Sequence, residues 1–217
     1  MLSECTAIIA VKNGTNYLEE AIASIRAQTL PMSRVIVVDD HSEDDTELLC
    51  AELGIEFVKS RGVGQGAATN LGIEMSLTPF IAILDHDDKW DYQKTELQIQ
   101  YLLKNQQSQA VFSRVQNFYT NGSVDRDFLP SRALGSSIFR RQIFQKAGPF
   151  DVSTPALNSL PWWLEVARRG IRVDSLDIPA LYRRVHKENF NVLRFEEAHH
   201  SRFSVLRSKI KLDLEEK

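Results

Sequence analysis

The first half of the chain alternates short apolar runs with stretches of helical spacing. Residues 6–11, 34–38, 55–58 and 80–84 are apolar without alternation, which predicts strands buried on both faces of a sheet. Asn13-Gly14-Thr15-Asn16 is turn chemistry ending in a helix cap. Leu18, Ala21, Ile22 and Ile25 then follow at helical spacing within 17–28, and Pro31 stops that helix. Ser42 with Glu43-Asp44-Asp45 predicts a helix running to about Leu53, its acids at the positive end of the dipole. Helices are also expected over 69–75 and 91–104, the latter through Leu97, Tyr101 and Leu102. Strand–helix alternation of this kind predicts an α/β fold with a mostly parallel, doubly wound sheet.

The second half is less regular. Runs at 110–117 and 124–128 flank Asn121-Gly122 and predict a hairpin. Residues 135–139 read as a short strand or turn leading into a helix over 140–147, and Gly148-Pro149-Phe150 breaks the chain. A helix is expected over 162–169 and strands over 171–173 and 180–185. From 195 onward the chain is charged and helical in pattern, with Phe203, Leu206 and Ile210 forming one apolar stripe. A packed helix or a homo-oligomer contact explains that stripe best, ahead of a membrane-surface helix.

Composition narrows the classes. A length of 217 residues suits one sizeable domain with a full core. A formal net charge of -3 argues against a nucleic-acid partner, which would call for a basic surface. No apolar run approaches the roughly 20 residues that span a bilayer, and Met1–Cys5 shows neither a basic leader nor a cleavage site. The expected location is therefore the cytosol or the inner membrane surface. Cys5 and Cys50 have no metal-ligand spacing and read as buried free thiols.

Two carboxylate clusters carry the candidate chemistry. The run 80–84 ends in Asp85, His86, Asp87 and Asp88, and the run 34–38 ends in Asp39 and Asp40. In an open parallel sheet, ligands bind at the C-terminal ends of the strands, where both clusters fall. Neighbouring carboxylates repel, so a hard divalent cation, Mg²⁺ or Mn²⁺, bridging phosphate oxygens is the natural partner for Asp85 and Asp87. The bland alternative is a solvated turn with an Asp cap; repetition of the pattern on a second strand weighs against it. Asp40 can accept a hydrogen bond from the imide N–H of a uracil. The two clusters together suit a nucleoside diphosphate lying along the sheet edge. Gly62-Val63-Gly64-Gln65-Gly66-Ala67 matches a dinucleotide fingerprint, but that fingerprint belongs after the first strand and this one follows the third. A flexible loop over the nucleotide site is the better reading, with Arg61 solvated or reaching a phosphate.

The same residues resemble family 2 glycosyltransferases of the GT-A fold. Ile8-Ile9-Ala10-Val11-Lys12-Asn13-Gly14, Tyr17-Leu18-Glu19-Glu20-Ala21-Ile22 and Val37-Val38-Asp39-Asp40-His41-Ser42 are similar to that family's opening. Asn70-Leu71-Gly72-Ile73 with Leu84-Asp85-His86-Asp87-Asp88 resembles its DxD segment. Gly148-Pro149-Phe150-Asp151, Trp162-Trp163-Leu164 and Tyr182-Arg183-Arg184-Val185-His186 continue the likeness to about residue 190. The resemblance implies transfer of a sugar from a nucleoside-diphosphate sugar, UDP-linked by expectation, with inversion at the anomeric carbon. It implies a nucleotide-binding half over 1–105, an acceptor half over 106–190 and a C-terminal helical extension over 191–217. It puts Asp40 and Ala10 at the base, Asp85 and Asp87 at the diphosphate and metal, and His186 close to them. Gly135 falls in a loop near the acceptor. Trp162 and Trp163 either line an acceptor pocket or belong to the core.

Three departures from the family pattern stand out. Lys12 replaces a common Tyr, Thr69 replaces a usual Arg, and Asn158-Ser159 replace a Glu-Asp pair whose Asp deprotonates the acceptor. An amide and an unassisted hydroxyl are poor bases at neutral pH, leaving Asp151 and Glu165 as the nearby candidates. An active transferase is favoured. A non-catalytic nucleotide-sugar-binding or scaffold protein and a sugar nucleotidyltransferase are the competing readings. The acceptor, whether glycan, lipid, peptide or small metabolite, is not legible.

Overall fold

A computed structural model of the protein describes residues 4–62, 64–153 and 159–186. Four parallel strands, β1 (Cys5–Val11), β2 (Arg34–Asp39), β3 (Glu56–Lys59) and β4 (Phe80–Asp85), pair in the order β3-β2-β1-β4. They are joined by helices α1 (Leu18–Arg26), α2 (Thr46–Glu52) and α3 (Gln65–Met75). After β4 the chain adds β5 (Lys89–Trp90), α4 (Lys94–Lys104), β6 (Ala110–Tyr119), β7 (Leu129–Pro130) and a 3-10 turn, Leu134–Ser136. Then come β8 (Ser137–Arg140), α5 (Gln142–Ala147), α6 (Ser159–Arg168) and β9 (Val173–Val185). One mixed sheet continues from β4 through β8, β6 and β9 to β5, with β7 beside β6.

Side-chain alternation divides the core into two layers. Ala7, Ile9, Val11, Val37, Ala82 and Leu84 pack with Leu18, Ile22 and Ile25 of α1 and Leu102 of α4. Ile8, Ala10, Ile36, Val38, Ile81 and Ile83 pack with Ala68 of α3 and with Ile143, Phe144, Trp162 and Trp163 of α5 and α6. Both faces of β1, β2 and β4 are covered, which is why these strands are apolar through their centres. β3, at the sheet edge, is only half-buried with Glu56 and Lys59 exposed, so the two-sided burial expected of 55–58 is not met. Each fully buried aliphatic side chain contributes about 1.5–3 kcal/mol. Gly72 lets α3 ride close on β1, since a Cβ there would fall 2.4 Å from Ile8 Cγ2.

The parallel half matches the pattern reading with shifted helix starts. The helix expected from Ser42 begins at Thr46, because Asp44 is engaged in a loop clasp. Its carboxylate accepts from the Thr15 N–H and hydroxyl and from the Thr46 N–H, while Thr46 Oγ1 accepts from the Gly14 N–H at 2.8 Å. The helix expected from Thr69 begins at Gln65, so half of the glycine-rich segment is helical rather than loop.

The second half departs further. The hairpin about Asn121-Gly122 forms, but its return strand is reduced to a bridge between Phe118 and Val124 and the two residues of β7. The strands expected at 171–173 and 180–185 are one long strand, β9, parallel to β6, with register shifts at Phe112–Val115 of β6. Cys5 and Cys50 are buried free thiols, as expected. Among the described residues no helix is long and apolar enough to cross a membrane. Asn158 and the stripe of Phe203, Leu206 and Ile210 lie outside the described residues.

Candidate functional site

The C-terminal ends of β2, β1 and β4 form one edge. Ala10 stands in register with Val38 on one side and Asp85 on the other. Asp40, one residue beyond β2, is tied back by its N–H to Val11 O at 2.7 Å. The entry to α3 spans the two carboxylates. The Gly64 N–H donates to Asp40 Oδ1 at 2.8 Å, and Gln65 Nε2 donates to Asp85 Oδ1 at 2.5 Å. Gly64 has φ 96°, a left-handed conformation open to glycine, and that conformation aims its N–H at Asp40. Asp40 is 7% exposed and Ala10 6%, so both sit at the floor of the edge.

Across β4, β8 runs antiparallel with Phe80 opposite Arg140, Ile81 opposite Phe139 and Ala82 opposite Ile138. The 3-10 turn Leu134–Ser136 precedes β8 and so lies toward the C-terminal end of β4, on the side away from β1. The 3-10 turn there packs against β4. The edge therefore runs from Asp40 past Ala10 to Asp85, with the 3-10 turn packed on the far side of β4.

The turn after β4 concentrates acid. Burial and the neighbouring Asp87 charge push the Asp85 carboxyl up to about 6, against the lowering effect of Gln65. Asp88 is also raised, by burial and by Asp85 and Asp87, although the Arg184 N–H donates to its Oδ1 at 2.8 Å. Burial holds His86 below its ordinary pKa. Asp87 Oδ2 lies 3.0 Å from His186 Nε2, and the His186 ring packs against Tyr17 with centroids 5.0 Å apart. Asp87 and His186 thus pair beyond the end of β4, with Asp85 at the strand end itself. Among the described residues, no group of three or more His, Cys, Asp and Glu side chains is close enough to hold a metal unaided.

Other candidates lie elsewhere. Trp162 and Trp163 are buried among Phe139, Phe144 and Phe150, and their indole N–H groups donate to Gly148 O and Arg132 O at 2.9 Å. They are core, which resolves the alternative against an acceptor pocket. Gly135 is buried as well, its carbonyl accepting from Trp90 Nε1 at 2.8 Å. Glu165 is gripped by Arg168 and Arg169, which pull its carboxyl down to about 2. A carboxylate of that pKa is a weak base at neutral pH, which corrects its candidacy. Asp151 is exposed and caps a turn by accepting from the Ser153 N–H at 2.8 Å. It follows Phe150, whose backbone N–H and C=O both pair with the Asn70 side chain of α3 at 2.9 Å. Lys12 and Arg61 are exposed; Thr69 is buried and donates to Gln65 O at 2.7 Å within α3. Ser159 opens α6.

Sequence reasoning missed Gln65 and Arg184. Arg184 Nε donates to Asp87 O and Nη2 to Glu20 Oε2, both at 2.9 Å, and its guanidinium lies 4.5 Å from both the Tyr17 and Phe118 rings. One signal was available: Arg184 and His186 are two residues apart, hence on one face of a strand. Nothing in the linear pattern pointed to Gln65.

Comparison with known proteins bears on this arrangement. The family model described as glycosyl transferase family 2 matches residues 6–159. An uncharacterized glycosyltransferase of Rickettsia prowazekii is 31% identical over 183 residues, covering 74% of this chain, and the chain spans 58% of that relative's length. The Escherichia coli UDP-Glc:alpha-D-GlcNAc-diphosphoundecaprenol beta-1,3-glucosyltransferase WfaP is 24% identical over 210 residues, covering 88% of this chain and 80% of its own. The structure of S. aureus TarS 1-349 in complex with UDP-GlcNAc superposes with a TM-score of 0.70 at 16% identity. That match covers 84% of this chain and 59% of TarS 1-349, and it is a likeness of fold.

Proposed function

The chain belongs to glycosyl transferase family 2, and from that premise we propose that it is a hexosyltransferase taking its sugar from a UDP-linked donor with inversion. The observation that carries the proposal is the edge itself. Ala10 and Asp85 are in register on adjacent parallel strands, and Asp40 follows the end of β2 on the other side of β1. Gly64 and Gln65 at the start of α3 bond to both carboxylates, with Asp87 paired to His186 after β4. The uracil would sit at Asp40. Its Oδ1 already accepts from Gly64, and a carboxylate keeps acceptor capacity on the second oxygen for an imide N–H. The UDP-sugar named for WfaP and the one bound in TarS 1-349 support a UDP-linked donor here.

The donor set suits Mg²⁺ or Mn²⁺ in one specific way. Mg²⁺ is held by one or two carboxylates plus substrate phosphates rather than by an all-protein cage. Asp87 with His186, and Asp85 two residues before Asp87, suit that description; burial first and the Asp87 charge second raise the Asp85 carboxyl, and a cation would relieve the second of these. When bound, the ion would neutralise charge developing on the departing diphosphate. Arg184 holds the Asp87 carbonyl and Asp88 in place, and Tyr17 backs the His186 ring.

Inversion calls for a single in-line displacement. The acceptor oxygen bonds to the anomeric carbon as the bond to the diphosphate breaks, and the acceptor proton passes to a base. Asp151 is the base we put forward: it is exposed, and Asn70 ties its neighbour Phe150 to α3. A second reading, a nucleotide-sugar-binding protein without transfer, is favoured by Ser159 at the start of α6 where the family carries an acid. Release of UDP from a UDP-sugar in the presence of acceptor separates the two.

The direct test is calorimetric titration with UDP, GDP and dTDP, each with and without Mn²⁺. Tight, Mn²⁺-dependent binding of UDP is the expected result. Equal affinity with and without the ion would remove the metal from the mechanism, and a preference for GDP would overturn the donor class.

A further inference from the structure

Among the described residues, two that are not glycine take the left-handed backbone conformation: Asn13 at φ 55° and His41 at φ 61°. Each lies two residues past a strand that ends at the edge, Asn13 after β1 and His41 after β2. The conformation crowds a Cβ against the backbone, so each position needs a reason. For Asn13 the reason is local. Its Oδ1 accepts from the Glu43 N–H at 2.9 Å, its own N–H donates to Ser42 Oγ at 2.8 Å, and asparagine tolerates this backbone. Those two bonds also fix the chain after His41. Before it, the Asp40 N–H is held by Val11 O at 2.7 Å, and the Ser42 N–H folds back onto the Asp39 carboxylate at 3.2 Å.

The loop therefore demands a left-handed residue at position 41, but it does not demand histidine. Glycine would take the same φ without the crowding. Packing does not account for the choice either, since the His41 side chain is 56% exposed. Among the described residues, the polar contact of its ring is with Asp40: Nδ1 lies 3.4 Å from Asp40 Oδ1. A carboxylate can only accept, so the imidazole proton sits on Nδ1 in this contact. The Gly64 N–H donates to the same oxygen at 2.8 Å. Two donors from different parts of the chain thus hold Oδ1, while no described donor bonds Oδ2.

The oxygen left over is the one that would read a base. We propose that His41 is a positioning residue for nucleobase recognition: with Gly64 it fixes the Asp40 carboxylate so that Oδ2 is presented to the imide N–H of a uracil. The inference rests on the proposed donor site and adds the residue that sets which base that site accepts. Uracil offers a donor at its imide nitrogen, whereas cytosine offers an acceptor at the same place. A carboxylate oxygen held in one orientation attracts the first and repels the second. A carboxylate free to turn discriminates less. The crowded backbone at His41 is then the cost of placing a donor beside Asp40 from a loop with no room for a longer route.

The test measures the affinities of UDP and CDP by calorimetry, with Mn²⁺ present, on the wild type, His41→Gly and His41→Asn. Glycine keeps the left-handed backbone and removes the ring. Asparagine also tolerates that backbone and can place its amide NH₂ where Nδ1 stands, one atom beyond Cγ. UDP should bind about fivefold more weakly to His41→Gly, the effect of roughly one modest hydrogen bond, with CDP affinity unchanged. The preference for UDP over CDP narrows by the same factor, and His41→Asn restores it. Wild-type UDP affinity in His41→Gly would overturn the inference. Equal loss of both nucleotides would overturn it too, because the effect would then be on the whole site and not on base reading. A His41→Asn variant that behaves like His41→Gly would remove the hydrogen bond as the cause and overturn it likewise. Failure of the wild type to bind UDP, or a wild-type preference for CDP, would instead bring down the donor site itself.

Discussion

The parallel half of the sheet and the mixed half are built by different means. In the first, β1, β2 and β4 are buried on both faces beneath helices, so pattern and structure agree there, while the edge strand β3 is only half-buried. In the second, partners are distant in sequence: β6 lies parallel to β9, and the two-residue β5 is an edge strand recruited by Leu181 and Tyr182. The difference shows in how each half reaches the site. Asp40 and Asp85 are delivered by local chain, at the ends of their own strands. His186 reaches Asp87 across 99 positions of sequence, and Arg184 reaches Asp88 across 96. A site with one locally encoded wall and one assembled wall should fail differently when each is damaged.

The largest expected effect falls on the assembled side. Asp151→Asn should lower turnover by about 10²–10⁴-fold, the range for loss of a general base, while leaving Mn²⁺-dependent UDP affinity intact. Turnover close to wild type would move the base elsewhere. Glu165→Gln, already held by Arg168 and Arg169, should leave turnover unchanged and serves as the paired control.

On the locally encoded side, Asp87→Ala should weaken UDP binding in the presence of Mn²⁺ by about 100-fold or more, since even outer-shell changes at metal sites weaken binding by about 10–100-fold. Circular dichroism should show the fold intact. Unchanged affinity would mean that the acidic turn is not the diphosphate site.

Arg184→Met tests the joint between the halves. The contacts of Arg184 to the Asp87 carbonyl, Tyr17 and Phe118 are buried and should dominate; its pair with Glu20, half exposed, should add little. A loss of about 2–3 kcal/mol in urea unfolding is expected. A loss near zero would mean that β9 docks on the acidic turn without this clamp.

A smaller, sharper effect concerns pH. Burial depresses Lys94 to about 7 in the folded protein from an ordinary value of 10.5, so above pH 7 the unfolded chain holds a proton that the folded chain has shed. Stability should therefore rise with pH from about 7 toward 9. Above pH 9 it should fall again, because the Cys5 and Cys50 thiols, pushed up by burial to about 12 and about 11, keep two protons only when folded and outweigh the one that Lys94 has shed. Lys94→Met should flatten the rise between pH 7 and 9 in thermal melts, and an unaltered slope would mean that another group causes it.

The sequence by itself determined the α/β class, the four parallel strands and both acidic strand ends, because two-sided burial and strand termini are written in neighbouring residues. It also carried the family pattern that singled out His186. The tertiary structure alone decided that α3 begins at Gln65 and ties Asp40 to Asp85 through Gly64 and Gln65. It decided likewise that Glu165 is locked by arginines, that Trp162 and Trp163 are core, and that Lys94 is buried against the Ser137 carbonyl. The reason is physical. Periodicity reports which side of an element meets the interior, whereas the partner of a polar group depends on pairings between residues far apart in the chain.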